Sequence, residues 1–65
     1  MLSSKPKVRL IGEDGNVFNL MGIASKALKK AGLKHQESEM ITKIRRAGSY
    51  EEALAIIYKY VDEEK

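Results

Sequence analysis

This chain contains a single stretch with clear strand periodicity, and that most constrains how it can fold. In Lys7-Val8-Arg9-Leu10-Ile11 the apolar Val8 and Leu10 point one way and the basic Lys7 and Arg9 the other. That is the period-2 pattern of a strand with one buried face. Ile11 falls on the basic face, so that face is expected to be partly covered as well. The dominant spacing of everything that follows is helical. A lone strand leaves a row of backbone donors and acceptors unpaired. It must therefore pair with the C-terminal segment, or with the same strand of a second molecule in a two-fold dimer.

After the strand comes Gly12-Glu13-Asp14-Gly15-Asn16. Asp14-Gly15 or Gly15-Asn16 suits a hairpin tip, with Val17 to Leu20 as the return strand. The alternative is a loop leading directly into a helix, with Asn16 as its N-cap. Spacing favours the helix: Val17, Leu20, Met21, Ala24, Ala27, Leu28 and Ala31 recur along one helical face, and alternation fails at Leu20-Met21. Gly22 inside this helix suggests a neighbouring backbone packed closely against it. Lys29-Lys30 suit the negative end of the helix dipole, and Gly32 suits a left-handed closing residue.

A second helix is expected over His35–Ala47, with Met40, Ile41 and Ile44 inward and Gly48 as its stop. Ser49-Tyr50-Glu51-Glu52 reads as a capping box, the Ser49 hydroxyl on the Glu52 amide and the Glu52 carboxylate reaching back. The third helix then turns Tyr50, Ala53, Leu54, Ile57, Tyr58 and Val61 inward. Tyr58 to Asp62 also alternates weakly; we read it as helical, with a short strand beside Lys7–Ile11 as the alternative. The expected architecture is α+β: one N-terminal strand and three short helices, the strand completed by the C-terminal segment or by a second subunit.

With 65 residues the chain forms one small domain, and a domain of that size buries only roughly 60% of its unfolded surface. It has no cysteine, so neither a disulfide nor a thiolate metal site supplements the core. A homo-oligomer, most simply a dimer, is the expected source of added stability. Residues 1–6 are polar and are expected to fray. No apolar run approaches the ~18 residues of a membrane span, and Met1-Leu2-Ser3-Ser4 does not read as a signal peptide. A cytoplasmic protein with no membrane partner is expected.

The net charge of +3 divides unevenly. Residues 1–46 hold ten Lys/Arg against four acids, a balance of +6, and residues 47–65 hold two against five, a balance of −3. A basic body with an acidic tail suits an anionic ligand or head-to-tail pairing with itself.

Val8-Arg9-Leu10-Ile11-Gly12-Glu13-Asp14-Gly15-Asn16-Val17-Phe18, Met21-Gly22 and Ala27-Leu28-Lys29-Lys30-Ala31-Gly32, with the closing Tyr60-Val61-Asp62, resemble a group of small proteins of unknown function met in phage, prophage and other mobile-element genomes. GEDGN-x-Phe is the most specific part of this pattern, and the middle helix matches poorly. The resemblance implies an accessory role in a bacterial host cell and carries no activity, ligand or site residue with it.

Catalysis finds little support in the residues. The one histidine, His35, sits among polar neighbours at a helix start, and no nucleophile–base spacing accompanies it. Glu13-Asp14 are better turn formers than metal ligands, since a cation needs more oxygens than two. We expect no cofactor and no metal. Two binding surfaces stand out. In the first, Gly12, Glu13, Asp14, Gly15 and Asn16 with Arg9, Lys7 or Lys26 would hold a nucleotide-like ligand at a helix N-terminus, the acids facing a ribose or base edge rather than a bare phosphate. In the second, Lys26, Lys29, Lys30, Lys34, Arg45 and Arg46 would contact nucleic-acid phosphates, although Phe18, Tyr50, Tyr58 and Tyr60 do not interleave with them as a stacking platform would. The expected function is binding or sequestering a host protein or a nucleotide-like ligand, with non-specific nucleic-acid binding as the alternative.

Overall fold

The lone strand finds its partner inside the chain. The computed structural model describes residues 5–64, and in it β1 (Lys7–Val8) pairs in parallel with β2 (Asp62–Glu63), Lys7 opposite Asp62 and Val8 opposite Glu63. Between them run α1 (Val17–Lys30), α2 (Lys34–Arg45) and α3 (Tyr50–Tyr60). Parallel strands need a long crossover, and here the three helices together supply it.

Each helix begins and ends for a local reason. The Asn16 side chain accepts from the Phe18 amide at 2.8 Å and starts α1. Residues 17–22 are therefore helical, and no hairpin returns from the loop. At its other end Gly32 is left-handed, φ +79°. The Leu33 amide reaches the Leu28 carbonyl at 2.8 Å and the Gly32 amide reaches Lys29 at 3.0 Å, the paired bonds of a Schellman closure. Open space surrounds Gly22, so no backbone packs there. Ser49 accepts from the Glu52 amide at 3.1 Å. The Glu52 carboxylate reaches back one residue further than expected, to the Gly48 amide at 3.0 Å.

The second helix is shifted and shorter than its sequence spacing suggested, spanning Lys34–Arg45 rather than 35–47. It begins directly on Leu33, which makes no side-chain cap bond. Arg46 serves as its C-cap, leaving Ala47 to turn the chain toward α3. The C-terminal segment departs from the helical reading as well. Helix α3 stops at Tyr60, Val61 turns extended at φ −138° and ψ 158°, and 62–63 become strand. Tyr58 to Tyr60 thus follow the helical reading, and the strand alternative holds only from Val61 onward.

The core follows from one stripe per helix. Leu20, Ala24 and Leu28 of α1 meet Met40 and Ile44 of α2 and Ala53, Ile57 and Tyr60 of α3, with Val8, Leu10 and Val61 closing the cluster. Leu28, Met40, Ile57 and Val61 are fully buried. On α3 the buried stripe runs through Ala53, Ile57 and Tyr60, which leaves Leu54 and Tyr58 half-buried at its edge and Tyr50 exposed. Ile11 is 75% exposed, so the basic face of the strand region is not covered there.

The pairing is short because the chain turns. The Glu13 amide bonds the Leu10 carbonyl at 3.1 Å, and Gly12 sits at the third position of that turn with φ +91°, a value that favours glycine. Glu63 then does what a longer strand would have done. One carboxylate oxygen accepts from the amides of Leu10 at 3.0 Å and Ile11 at 3.2 Å, and the other accepts from the Tyr58 hydroxyl at 3.0 Å. Backbone bonds from Asp62 to Pro6 (2.9 Å) and Glu64 to Val8 (2.6 Å) complete the clasp. Lys5 joins it by donating to the Tyr58 carbonyl at 2.9 Å and pairing with Asp62 at 3.3 Å. The expected fraying of residues 1–6 lies outside the described residues for 1–4, while Lys5 and Pro6 take part in the clasp. No helix among the described residues is long and apolar enough to cross a membrane.

Partial burial pushes the Glu63 carboxyl up, but the Ile11 and Leu10 amides, the Tyr58 hydroxyl and the Arg9 charge outweigh it and hold it below its ordinary value. A carboxyl lowered by folding stabilises the fold above its unfolded value, about pH 4, and loses that contribution as the pH falls through the lowered one. Glu63→Gln, which keeps the shape and removes the charge, should lower the melting temperature at neutral pH. The wild-type and variant melting temperatures should converge on acidification below about pH 4, as followed by circular dichroism.

Candidate functional site

The loop Gly12–Asn16 is exposed throughout, but several of its polar groups are already bonded within the protein. Asp14 Oδ1 accepts from the Asn16 amide at 3.1 Å, and Asn16 Oδ1 takes the Phe18 amide. Asn19 Nδ2 donates to the Asp14 carbonyl at 2.9 Å, and the Tyr50 hydroxyl donates to the Gly15 carbonyl at 2.6 Å. A helix N-terminus captures an anion with unpaired amides. Here two of those amides face the protein's own side-chain oxygens, one of them a carboxylate.

The basic residues assigned to the same ligand do not converge on the loop. Arg9 lends its charge to Glu63. Lys7 lies with Asp62, Glu63 and Glu64 around a shallow hollow at the strand pair. Lys26 stands about 15 Å along α1 from Asn16 at 1.5 Å per residue. Among the described residues no group of three or more His, Asp or Glu side chains is placed to hold a metal ion.

The lysine and arginine surface divides in two. Lys26, Lys29, Lys30 and Lys34 surround the turn from α1 to α2, all exposed. Lys29 pairs at 3.6 Å with Glu37, whose carboxylate also accepts from the Ser25 hydroxyl. Arg45 and Arg46 lie at the opposite end of α2, about 16 Å from Lys34 by helix rise. Exposed His35 shares the outer face of α2 with Ser38, Thr42 and Arg46.

A more apolar recess lies elsewhere. A groove of about 710 Å³ runs between the start of α1 and the corner joining α2 to α3. Val17, Met21, Ile44 and Ala53 line it, Ala47-Gly48-Ser49 form the corner, and Arg45 stands at its margin. Two aromatic rings flank it in the open: Phe18 is 72% exposed and Tyr50 46%. The bond from the Tyr50 hydroxyl to Gly15 fixes that ring as a wall, so the GEDGN loop contributes to the groove as a support.

Sequence reasoning missed this surface because it turned Tyr50 inward and gave Phe18 no surface role. A signal was present. Phe18 falls off the apolar stripe of α1, and Tyr50 immediately follows the Ser49 cap, where a helix has scarcely begun to pack. No protein-family model matches the chain, and no curated protein or solved structure is significantly similar to it.

If the loop is a cap and support, its substitutions act on stability. Asn16→Ala should cost about 1 kcal/mol, a fall in melting temperature of about 4–8 °C for a domain of this size. A melting curve unchanged by Asn16→Ala would return the loop to candidacy as a ligand site.

Proposed function

We propose that the protein acts by binding another protein through the groove between α1 and the α2–α3 corner, in the accessory role that the GEDGN-x-Phe resemblance implies. The observation that carries this reading is the exposed Phe18–Tyr50 pair beside an apolar recess. A large aromatic ring left in water beside an apolar hollow is the pattern of a contact surface, because docking recovers the apolar area that folding left exposed. The hydrogen bond holding Tyr50 adds to this, since a wall fixed before binding has less freedom to lose.

Two features weigh against the other ligand classes. A nucleotide at the GEDGN loop would compete with bonds the loop already makes. A nucleic acid following the basic residues would have to bridge two separate groups, and the Glu52 carboxylate on the Gly48 amide stands at the groove's corner, where it repels phosphates.

Immobilised protein should capture a partner from bacterial lysate in a way that Phe18→Asp reduces at least about tenfold, the change that roughly 1.4 kcal/mol of lost contact produces. Lys30→Ala with Lys34→Ala should leave capture intact. Capture that instead fails with the lysine variants, falls steeply with salt and disappears after nuclease treatment would replace this reading with nucleic-acid binding.

A further inference from the structure

We infer that the turn from α1 to α2 is a second binding surface, which takes the phosphate backbone of nucleic acid through Lys26, Lys29, Lys30 and Lys34. It stands apart from the groove, with Lys30 about 18 Å along α1 from Phe18 at 1.5 Å per residue. It uses one of the two basic groups alone and needs no bridge to Arg45 and Arg46.

Helix stability does not account for these charges. A cation suits the negative C-terminal end of a helix and opposes the positive N-terminal end. Lys29 and Lys30 lie in the last turn of α1, and the dipole explains them. Lys26 lies a turn earlier, outside that reach. Lys34 is the first residue of α2, where its charge works against the dipole. A residue that costs the helix stability is accounted for by what it offers to a ligand.

Nor is the surface neutralised. Residues 17–38 hold four Lys against one acid, Glu37, a balance of +3 that equals the net charge of the whole chain. All four lysines are exposed. Glu37 is drawn inward instead: its side chain is 12% exposed, accepts from the Ser25 hydroxyl and pairs with Lys29 at 3.6 Å. Among the described residues no carboxylate pairs with Lys26, Lys30 or Lys34.

The surroundings select the class of partner. The turn itself is Ala31-Gly32, both exposed, so no bulky side chain holds an extended polymer away from the lysine heads. A membrane surface is gripped by apolar side chains that enter beside the charges, and the exposed large apolar residues Ile11, Phe18 and Tyr50 lie elsewhere. The segment 19–49 contains no Phe, Tyr or Trp. The contact is therefore with phosphates, without base stacking, and is indifferent to base sequence.

Fluorescence anisotropy of a labelled, mixed-sequence DNA duplex tests this. The logarithm of the binding constant should fall against that of salt with a slope of roughly −3 to −4, for three or four phosphates neutralised. Lys30→Ala with Lys34→Ala should bring that slope nearer zero by about 2 and raise the Kd at least about tenfold. Arg45→Ala with Arg46→Ala removes the same net charge from the other end of α2. It should leave binding nearly unchanged near 0.1 M salt, where charges about 16 Å away lie beyond the screening length of about 10 Å. Lys34→Glu separates binding from folding: an acid suits the start of α2, so duplex binding should weaken with no fall in melting temperature.

No change in anisotropy at about 10 mM salt, where attraction reaches farthest, overturns the inference. Equal losses from the arginine and lysine pairs overturn it as well, because net charge alone would then be acting. Tighter binding to vesicles of anionic phospholipid than to the duplex reassigns the surface to a membrane and likewise overturns it. Phe18→Asp should leave duplex binding unchanged, so the groove and this surface stand or fall separately; a loss there overturns their separation.

Discussion

The two ends of this small chain are held side by side, and the rest of the structure depends on that clasp. A strand of two residues offers few backbone bonds, and a two-stranded pair is marginal in water. What extends it is the Glu63 carboxylate, which accepts the Leu10 and Ile11 amides after the strand has stopped and ties in Tyr58 from α3. Burial, followed by the bond to Glu63, pushes the Tyr58 hydroxyl above its ordinary value. With the clasp closed, Val8, Leu10 and Val61 cover the helical core from one side. Without it those apolar residues would face water, and a 65-residue chain has little other burial to offset the loss.

The helices arrange themselves around small and fully buried residues. Ala24 and Ala53 lie where the helices approach, and Leu28, Met40 and Ile57 fill the space between them. The caps keep the boundaries sharp: Asn16 opens α1, Gly32 closes it, and Ser49 with Glu52 opens α3. Because each helix contributes one narrow stripe to a small core, the residues just outside the stripes are left at the surface. Phe18 and Tyr50 are two of these. They come together because the first turn of α1 lies beside the α2–α3 corner, and the bond from Tyr50 to Gly15 locks that placement.

The GEDGN segment thus has a physical account that needs no ligand. Gly12 supplies the positive φ of the turn that ends the strand, Asp14 takes the amide of the cap residue Asn16, Asn16 takes the Phe18 amide of α1, and Gly15 offers the carbonyl that anchors Tyr50. The segment joins the clasp at one end to the groove at the other.

The sequence by itself determined what depends on neighbours a few residues away. Alternation placed Val8 and Leu10 inward, helical spacing and caps placed α1 and α3 close to their true bounds, and the turn chemistry of Gly12 to Asn16 was readable as a turn and cap. Only the tertiary structure decided that the strand's partner within the chain is Asp62–Glu63, that an apparent tail acid closes the clasp, and that Phe18 and Tyr50 flank an open groove. These outcomes join residues as far as 53 positions apart. Local periodicity cannot choose such partners; the packing of three helices does, by bringing the chain ends to one side and the first turn of α1 to the α2–α3 corner.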